Sequence, residues 1–137
     1  MTGKQFYTWN QFESDCDKLT GLIKKSGKRI DSIYGIPRGG LILAVRLSHK
    51  LGIPIIMHDA NIGKGTLIVD DITDTGETMM TFLGKKNHKT ATLFYNPASK
   101  CAPTYFCRKK NGWVVFPWED EKTSRYDKTI KNLNKNE

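Results

Sequence analysis

The residues best suited to chemistry lie between positions 66 and 81, in the stretch TLIVDDITDTGETMMT. Its opening Leu-Ile-Val run is typical of a buried parallel strand, and two carboxylates, Asp70 and Asp71, follow at once. A third carboxylate, Asp74, begins a turn rich in threonine and glycine, after which apolar residues recur at helical spacing. The pattern predicts a strand that ends in a polar loop, with a helix that begins at residues 75–78.

The predicted junction suits a phosphate group. Backbone N–H groups at a helix N-terminus have no partner within the helix, and the helix dipole favours an anion there. Carboxylates beside a phosphate would be suited to hydroxyl groups or to a hard cation such as Mg2+. Together these features describe a phosphorylated ribose. The alternative is an ordinary strand-to-helix turn, in which the Asp and Thr residues only cap the helix.

A second anion site is predicted in Pro37-Arg38-Gly39-Gly40, which lies between a predicted strand and a predicted helix. The guanidinium of Arg38 suits the oxygens of a diphosphate. The alternative is a tight turn that requires glycine only for its backbone. The sequence contains no Gly-x-x-x-x-Gly-Lys-Ser/Thr and no Gly-x-Gly-x-x-Gly, so neither common nucleotide-binding loop is indicated.

Strand and helix patterns alternate along the chain, which predicts an α/β fold. Helices are expected at 6–25 and 41–51, and strands at 30–36, 53–58, 67–69, 89–96 and, as a short edge strand, 103–107. We predict one domain at 1–119, a mostly parallel twisted sheet with flanking helices, and a polar tail at 120–137. Ligands of such sheets bind beyond the carboxyl ends of the strands. The loops 37–40, 71–78 and 96–99 should therefore meet.

Length, charge and cysteine content narrow the function classes. The 137 residues suffice for one core, and no apolar run approaches the ~20 residues that cross a bilayer. Cys16, Cys101 and Cys107 are an odd number without Cys-x-x-Cys spacing, so we expect a cytoplasmic protein without zinc or a disulfide framework. The net charge of +8 attracts polyanions, but its clusters are scattered, which does not favour nucleic acid as a partner.

The loop at 34–40, the 66–81 stretch and the segment Trp113-Val-Val-Phe-Pro-Trp-Glu119 together resemble the type I phosphoribosyltransferases. The resemblance covers roughly residues 6–119 in the same order, and it is strongest to the xanthine–guanine branch. It implies transfer of a phosphoribosyl group from phosphoribosyl diphosphate (PRPP) to a purine base, most simply a 6-oxopurine, with release of diphosphate. It also implies Mg2+ as cofactor and a homodimer or larger homo-oligomer.

By this resemblance, the residues that bind PRPP would be Arg38, Gly39, Asp70, Asp71, Asp74, Thr75, Gly76, Glu77 and Thr78. Arg38 and Gly39 would hold the diphosphate, and residues 75–78 the 5-phosphate. Asp70 and Asp71 would hold the ribose hydroxyls, with Asp71 also close to Mg2+. Both are expected to be catalytic residues, as is Asp74.

The resemblance also assigns a base site. Trp113 would stack on the purine, main-chain groups of Val114 would meet the edge of the ring, and Asp74 would face N7. Asn96 stands where the branch usually has a lysine, whose ammonium donates to the 6-oxo group. An amide is neutral and also an acceptor, so the base preference stays open. Trp113 could instead pack in the core, which is the interpretation we favour for Trp118.

Two further points bear on activity. Only residues 59–65 separate two predicted strands where relatives have a long flexible loop, so we expect no substantial lid over the sugar. A function of another class, a PRPP-sensing regulator that binds nucleic acid, is compatible with the charge. Against it, the sequence has no helix-turn-helix pattern and no RNA-binding signature.

Overall fold

Strands and helices alternate in the computed structural model, which describes residues 3–83, 88–120 and 122. The strands are β1 (Lys4–Phe6), β2 (Ser32–Gly35), β3 (Ile55–Ile56), β4 (Thr66–Thr73), β5 (Lys89–Tyr95), β6 (Tyr105–Lys109) and β7 (Trp113–Val115). The helices are α1 (Trp9–Ser26), α2 (Gly39–Leu51) and α3 (Glu77–Leu83), with a 3-10 turn at Asp59–Asn61. Apart from Asp120 and Lys122, the predicted polar tail lies outside the described residues.

Five strands form a parallel sheet in the order β3-β2-β4-β5-β6, with β4 at its centre. Parallel neighbours need crossover connections, and α2 and α3 supply two of them. The centre of β4 is fully buried at Leu67, Ile68 and Val69. The predicted α/β class, with a parallel sheet and flanking helices, is confirmed. Among the described residues, no helix has both the length and the apolar character that crossing a membrane requires.

All five strands of this sheet differ from their predicted bounds, and the difference is largest at β4. β4 continues to Thr73 because its pairing with β5 continues as far as Thr73 opposite Tyr95. Asp70 and Asp71 therefore lie within a strand, and placing Asp71 in a loop was wrong. β3 is shorter than predicted, since only Ile55–Ile56 pairs with β2.

A second small sheet was not predicted at all. β1 pairs in parallel with β7, with Gln5 opposite Val114. The pairing is continued by hydrogen bonds from Trp113 N to Gly3 O, at 3.0 Å, and from Tyr7 N to Val115 O, at 2.9 Å. The chain start therefore holds the segment that contains Trp113.

Helix α1 begins at Trp9, three residues after the predicted bound of 6, and ends at Ser26, one residue after the predicted bound of 25. Thr8 and Gln11 form a capping box at its start, and Gly27, with a φ of 69°, ends it in the left-handed conformation. Its apolar face is buried against the sheet at Phe12, Cys16, Leu19 and Ile23.

A group of three interacting polar side chains, those of Tyr7, Asp15 and Arg108, joins α1 to the edge strand β6. The carboxylate of Asp15 accepts hydrogen bonds from the Tyr7 hydroxyl at 2.5 Å and from Arg108 Nε at 2.7 Å. The Arg108 guanidinium also lies 5.7 Å from the centre of the Tyr7 ring. Because a buried charge is costly unless it is paired, this group fixes how α1 sits on the sheet.

Candidate active site

Three loops meet at the carboxyl edge of the central strands, as predicted. Residues 37–40 follow β2, residues 74–78 follow β4 and residues 96–100 follow β5. Main-chain hydrogen bonds join them to the central strand or its loop: Ile36 N to Val69 O at 2.9 Å, Asn96 N to Thr73 O at 2.9 Å, and Lys100 N to Thr75 O at 2.8 Å. Main-chain hydrogen bonds therefore hold the three loops together at the C-terminal ends of the central strands.

The loop before α2 packs directly against the end of β4. A Cβ atom on Gly39 would overlap the carboxylate of Asp71, and one on Gly40 would lie 2.5 Å from Val69 O. Both positions therefore require glycine. Arg38 is exposed at the start of this loop, and the Pro37–Arg38 peptide bond is cis. The structure therefore places Gly39, in the loop that also contains Arg38, directly against Asp71, which is far from it in the sequence.

Asp70 and Asp71 differ in their surroundings. Asp71 is buried, with 8% of its surface exposed, whereas Asp70 is half-buried, and its Oδ1 accepts from Asp71 N at 2.9 Å. In a strand, successive side chains point to opposite faces. The two carboxylates therefore address different sides of β4, with Asp71 on the side of the Gly39 loop.

These carboxylates match Mg2+ only in part. Among the residues that the structure describes, no group of three or more His, Cys, Asp or Glu side chains is arranged to hold a metal ion. Mg2+ commonly binds through one or two carboxylates, several waters and substrate phosphates. Asp71, on the side of the Gly39 loop, is suited to that mode, in which the substrate completes the ligand set.

The loop at 74–78 is fixed by its glycine and its threonine. Gly76 has a φ of 89°, and a Cβ there would lie 2.8 Å from Cys101 N, so the loop packs closely on the segment after β5. The N–H of Glu77 donates to Thr75 Oγ1 at 3.2 Å. At this helix N-terminus, the N–H of Glu77 is therefore already bonded to the side chain of Thr75.

Asp74 is the centre of a polar cluster, the Asp74 cluster, formed by Asp74, Asn96, Lys110 and Trp113. Asn96 Nδ2 donates to Asp74 Oδ1 at 2.9 Å, and Lys110 Nζ donates to Asp74 Oδ2 at 3.0 Å. Lys110 Nζ also lies 5.6 Å from the centre of the Trp113 ring. The cluster unites three predicted site residues: Asp74 directly after β4, Asn96 directly after β5, and Trp113 at the start of β7.

Lys110 is the member of the cluster that sequence reasoning missed. It ends the run Arg108-Lys109-Lys110, which resembles ordinary surface charge. Its backbone N–H donates to Tyr95 O at 2.8 Å, which holds the residue at the carboxyl edge of the sheet. The available signal was its position, directly after a strand on the same edge as the other loops.

The two tryptophans of the last segment have different roles in the structure. Trp118 stacks on Phe116 with ring centres 5.0 Å apart and contacts Phe12, in agreement with the core packing expected for it. Trp113 is half-buried beside Lys110, and the next residue, Val114, is buried in β7. Trp113 is therefore the tryptophan with a ring face beside the Asp74 cluster.

No protein-family model matches the chain. A purine phosphoribosyltransferase from Pyrococcus horikoshii Ot3 is 34% identical over 85% of this chain and 94% of that chain, with a TM-score of 0.72. A Helicobacter pylori xanthine-guanine-hypoxanthine phosphoribosyltransferase is 21% identical over 97% and 99%, with a TM-score of 0.71. A Neisseria gonorrhoeae protein with bound ppGpp is 20% identical over 96% and 98%, with a TM-score of 0.74. The Helicobacter and Neisseria proteins show a shared fold. The identity to the Pyrococcus protein is high enough to show that the two chains belong to one family.

Proposed function

Because this chain belongs to the purine phosphoribosyltransferases of type I, we propose that it transfers the phosphoribosyl group of PRPP to a 6-oxopurine. The bond from C1 of the ribose to the diphosphate breaks, and a bond from C1 to N9 of the base forms. The products are a nucleoside monophosphate and diphosphate. The observation that carries the proposal is the meeting of the 37–40 loop, the Asp70-Asp71 strand end and the Asp74 cluster at one edge of the sheet.

The PRPP side of the site would use two loops and a strand end. Arg38 and Gly39 would bind the diphosphate, and the loop at 75–78 would bind the 5-phosphate. Asp70 and Asp71 would hold the ribose hydroxyls, and Asp71 would hold Mg2+ together with the substrate. Bound in this way, Mg2+ would supply positive charge that offsets the charge of the departing diphosphate.

The chemical step requires little covalent participation by the protein. As the diphosphate departs, the ribose acquires positive charge, so carboxylates held near it stabilise the transition state. Asp70 and Asp71 would do this while fixing the orientation of the sugar. Asp74, near N7 of the base, would take up the proton that the purine loses as N9 attacks.

The base would lie on the indole of Trp113, with main-chain groups of Val114 at its edge. Stacking of a base on an aromatic side chain contributes about 1–3 kcal/mol in nucleic-acid complexes. Asn96 would contribute to the same side of the site. It donates to Asp74, so its contribution includes fixing the carboxylate that faces the base.

Two parts of the proposal concern the protein in the cell. We propose that the protein is cytoplasmic and that it forms a homodimer or larger homo-oligomer. Size-exclusion chromatography with light scattering would measure the oligomeric state. The compartment is supported by three free cysteines, Cys16, Cys101 and Cys107, since a reducing cytosol preserves thiols.

The test is to incubate the protein with PRPP, Mg2+ and, separately, guanine, hypoxanthine, xanthine and adenine, and to follow nucleotide formation. We expect turnover with at least one 6-oxopurine, and loss of turnover when the metal is chelated. Turnover of adenine alone would contradict the 6-oxopurine assignment. Absence of turnover with all four bases would contradict the proposed function.

The alternative of a nucleic-acid-binding regulator receives no support from the comparisons. The charge of +8 should produce only weak, unspecific binding to duplex DNA or RNA, steeply dependent on salt. Sequence-selective binding near physiological salt that PRPP modulates would contradict this expectation.

A further inference from the structure

Lys110 brings an ammonium group into the Asp74 cluster from an element that the predicted base site did not include. Its Nζ is 3.0 Å from Asp74 Oδ2 and 5.6 Å from the centre of the Trp113 ring, and its side chain is only 19% exposed. A cation held between a carboxylate and an indole is largely removed from water. Its attraction to a further acceptor is then stronger than at an open surface.

We propose that Lys110 determines base specificity, by donating a hydrogen bond from its ammonium group to the 6-oxo oxygen of the purine. This inference rests on the proposed function and deepens it. In a 6-oxopurine, O6 and N7 lie side by side on one edge of the ring system. With the base on Trp113 and N7 toward Asp74, a donor bonded to the Asp74 carboxylate lies beside O6.

Two other polar side chains of this edge, those of Asn96 and Lys100, have partners of their own. Asn96 donates through Nδ2 to Asp74, and its Oδ1 accepts from Ala98 N at 3.0 Å, so the amide positions Asp74 and closes the turn after β5. Lys100 is 65% exposed and lies 3.4 Å from the Glu77 carboxylate. Lys110, by contrast, places its ammonium group on the Asp74 carboxylate.

The chemistry of an ammonium group explains how Lys110 would discriminate. It has three N–H donors and no acceptor. It keeps its bond to Asp74 and donates a second hydrogen to O6 of hypoxanthine, guanine or xanthine. Adenine presents an amino group at the same position, so two donors would face each other and neither would be satisfied.

The test compares Lys110→Met, Lys110→Arg and the control Lys109→Met. Lys109 is the exposed last residue of β6, so its substitution removes the same charge one residue away from the cluster. For each protein, KM and kcat are measured for hypoxanthine and adenine at saturating PRPP, and KM for PRPP at saturating hypoxanthine.

We expect Lys110→Met to raise KM for hypoxanthine by about tenfold to a hundredfold, the range for a lost hydrogen bond to a charged group. KM for PRPP should stay within about twofold, and the preference for hypoxanthine over adenine should narrow. Lys110→Arg should retain part of the preference, and Lys109→Met should match the wild type. An unchanged KM for hypoxanthine in Lys110→Met, or an equal loss for both bases and PRPP, would overturn the inference.

A second variant tests the assignment by moving the cation. Asn96→Lys alone should give no gain, because Lys110 already supplies the charge and two ammonium groups repel. Combined with Lys110→Met, the same substitution should recover part of the lost hypoxanthine affinity. A gain from Asn96→Lys in the wild-type background would indicate that Lys110 does not contact O6.

Equilibrium binding separates failure of this inference from failure of the proposed function. Binding of guanosine and adenosine monophosphates to the wild type and to Lys110→Met is measured by calorimetry without PRPP. If the wild type converts no purine, the proposed function fails, and the binding preference still decides the role of Lys110. Equal binding of both nucleotides to both proteins would overturn that role.

Discussion

The carboxylate of Asp71 occupies the space over the Cα of Gly39, and this contact couples the two halves of the proposed PRPP site. The two residues lie on different elements, β4 and the start of α2. Because Gly39 has no side chain, the buried carboxylate can lie directly against the backbone of the loop. A substitution at Gly39 should therefore displace the Asp71 carboxylate, and a substitution at Asp71 should alter the packing of the Gly39 loop.

Asp71→Asn should weaken use of PRPP and Mg2+ with little effect on folding. The amide has the same size as the carboxylate but lacks the charge that a metal and a ribose hydroxyl would use. We expect KM for PRPP to rise by about tenfold to a hundredfold and the dependence on Mg2+ concentration to weaken. Steady-state kinetics with varied Mg2+ measures both, and Asp17→Asn on the exposed face of α1 is the control. Unchanged PRPP kinetics would show that Asp71 has another role.

Gly39→Ala should destabilise the protein and impair PRPP binding together. Its methyl group would overlap the Asp71 carboxylate, and relieving such overpacking costs about 1–3 kcal/mol of folding free energy. The control is Gly21→Ala within α1, where a Cβ meets no atom within 4 Å. That change should stabilise the protein by about 0.5–1 kcal/mol. Urea unfolding measures both, and equal effects of the two substitutions would contradict the proposed packing.

The roles of the carboxylates, Arg38 and Trp113 in the site stay predictions, which residue types and motifs in the sequence were enough to make. Residue types could not identify Lys110, which has the same neighbours in sequence as any surface lysine. Its place in the Asp74 cluster depends on the pairing of β6 with β5, which fixes where the strand ends. Such a contact depends on the register between paired strands, which a local pattern in the sequence does not reveal.

At the scale of elements, β1 supports the proposed base site from outside the main sheet. It pairs with β7, and the bond from Trp113 N to Gly3 O holds the tryptophan at its start. A three-residue strand has too few residues for a recognisable alternation, so the sequence predicted a helix start at residue 6 and no strand. The long elements were predictable because their apolar periodicity is sustained.

Gln5→Pro should therefore impair use of the base and spare use of PRPP. Proline lacks the N–H that a strand donates, and Gln5 is the central residue of β1. With β7 less firmly held, we expect KM for the purine to rise severalfold while KM for PRPP stays within about twofold. Gln5→Thr, which keeps the N–H and favours a strand, should behave as wild type. A rise confined to KM for PRPP would contradict this role of β1.

At the scale of the whole molecule, the contact between α1 and the sheet contains ionisable groups that are neutral when folded. Burial raises the pKa of the Cys16 thiol and that of the Cys107 thiol, each to about 12. Burial also raises the pKa of Tyr7, and its hydrogen bond to the Asp15 carboxylate adds to the effect. All three groups lie on the side of the sheet that α1 covers, away from the Asp74 cluster.

These shifts predict that stability falls in alkaline solution. In the unfolded chain the thiols and the tyrosine lose their protons near their ordinary pKa values, about 8.5 and 10, whereas the folded chain retains them. The unfolded state then binds fewer protons, so the free energy of unfolding decreases as pH rises from about 8 toward 12. Each group contributes a slope of at most about 1.4 kcal/mol per pH unit. Below about pH 8 these three groups should contribute no slope.

Urea unfolding at pH 7, 8, 9, 10 and 10.5 measures this dependence. The double variant Cys16→Ala and Cys107→Ala, which is expected to be less stable at pH 7, should show a shallower decline above pH 9, because two of the three groups are gone. The comparison uses slopes, so the lower starting stability does not affect it. A flat profile between pH 8 and 10.5, or an unchanged slope in the double variant, would show that the thiols are ionised in the folded protein. That outcome would require water to reach the contact between α1 and β6, and the packing of Cys16 against the sheet would then be incorrect.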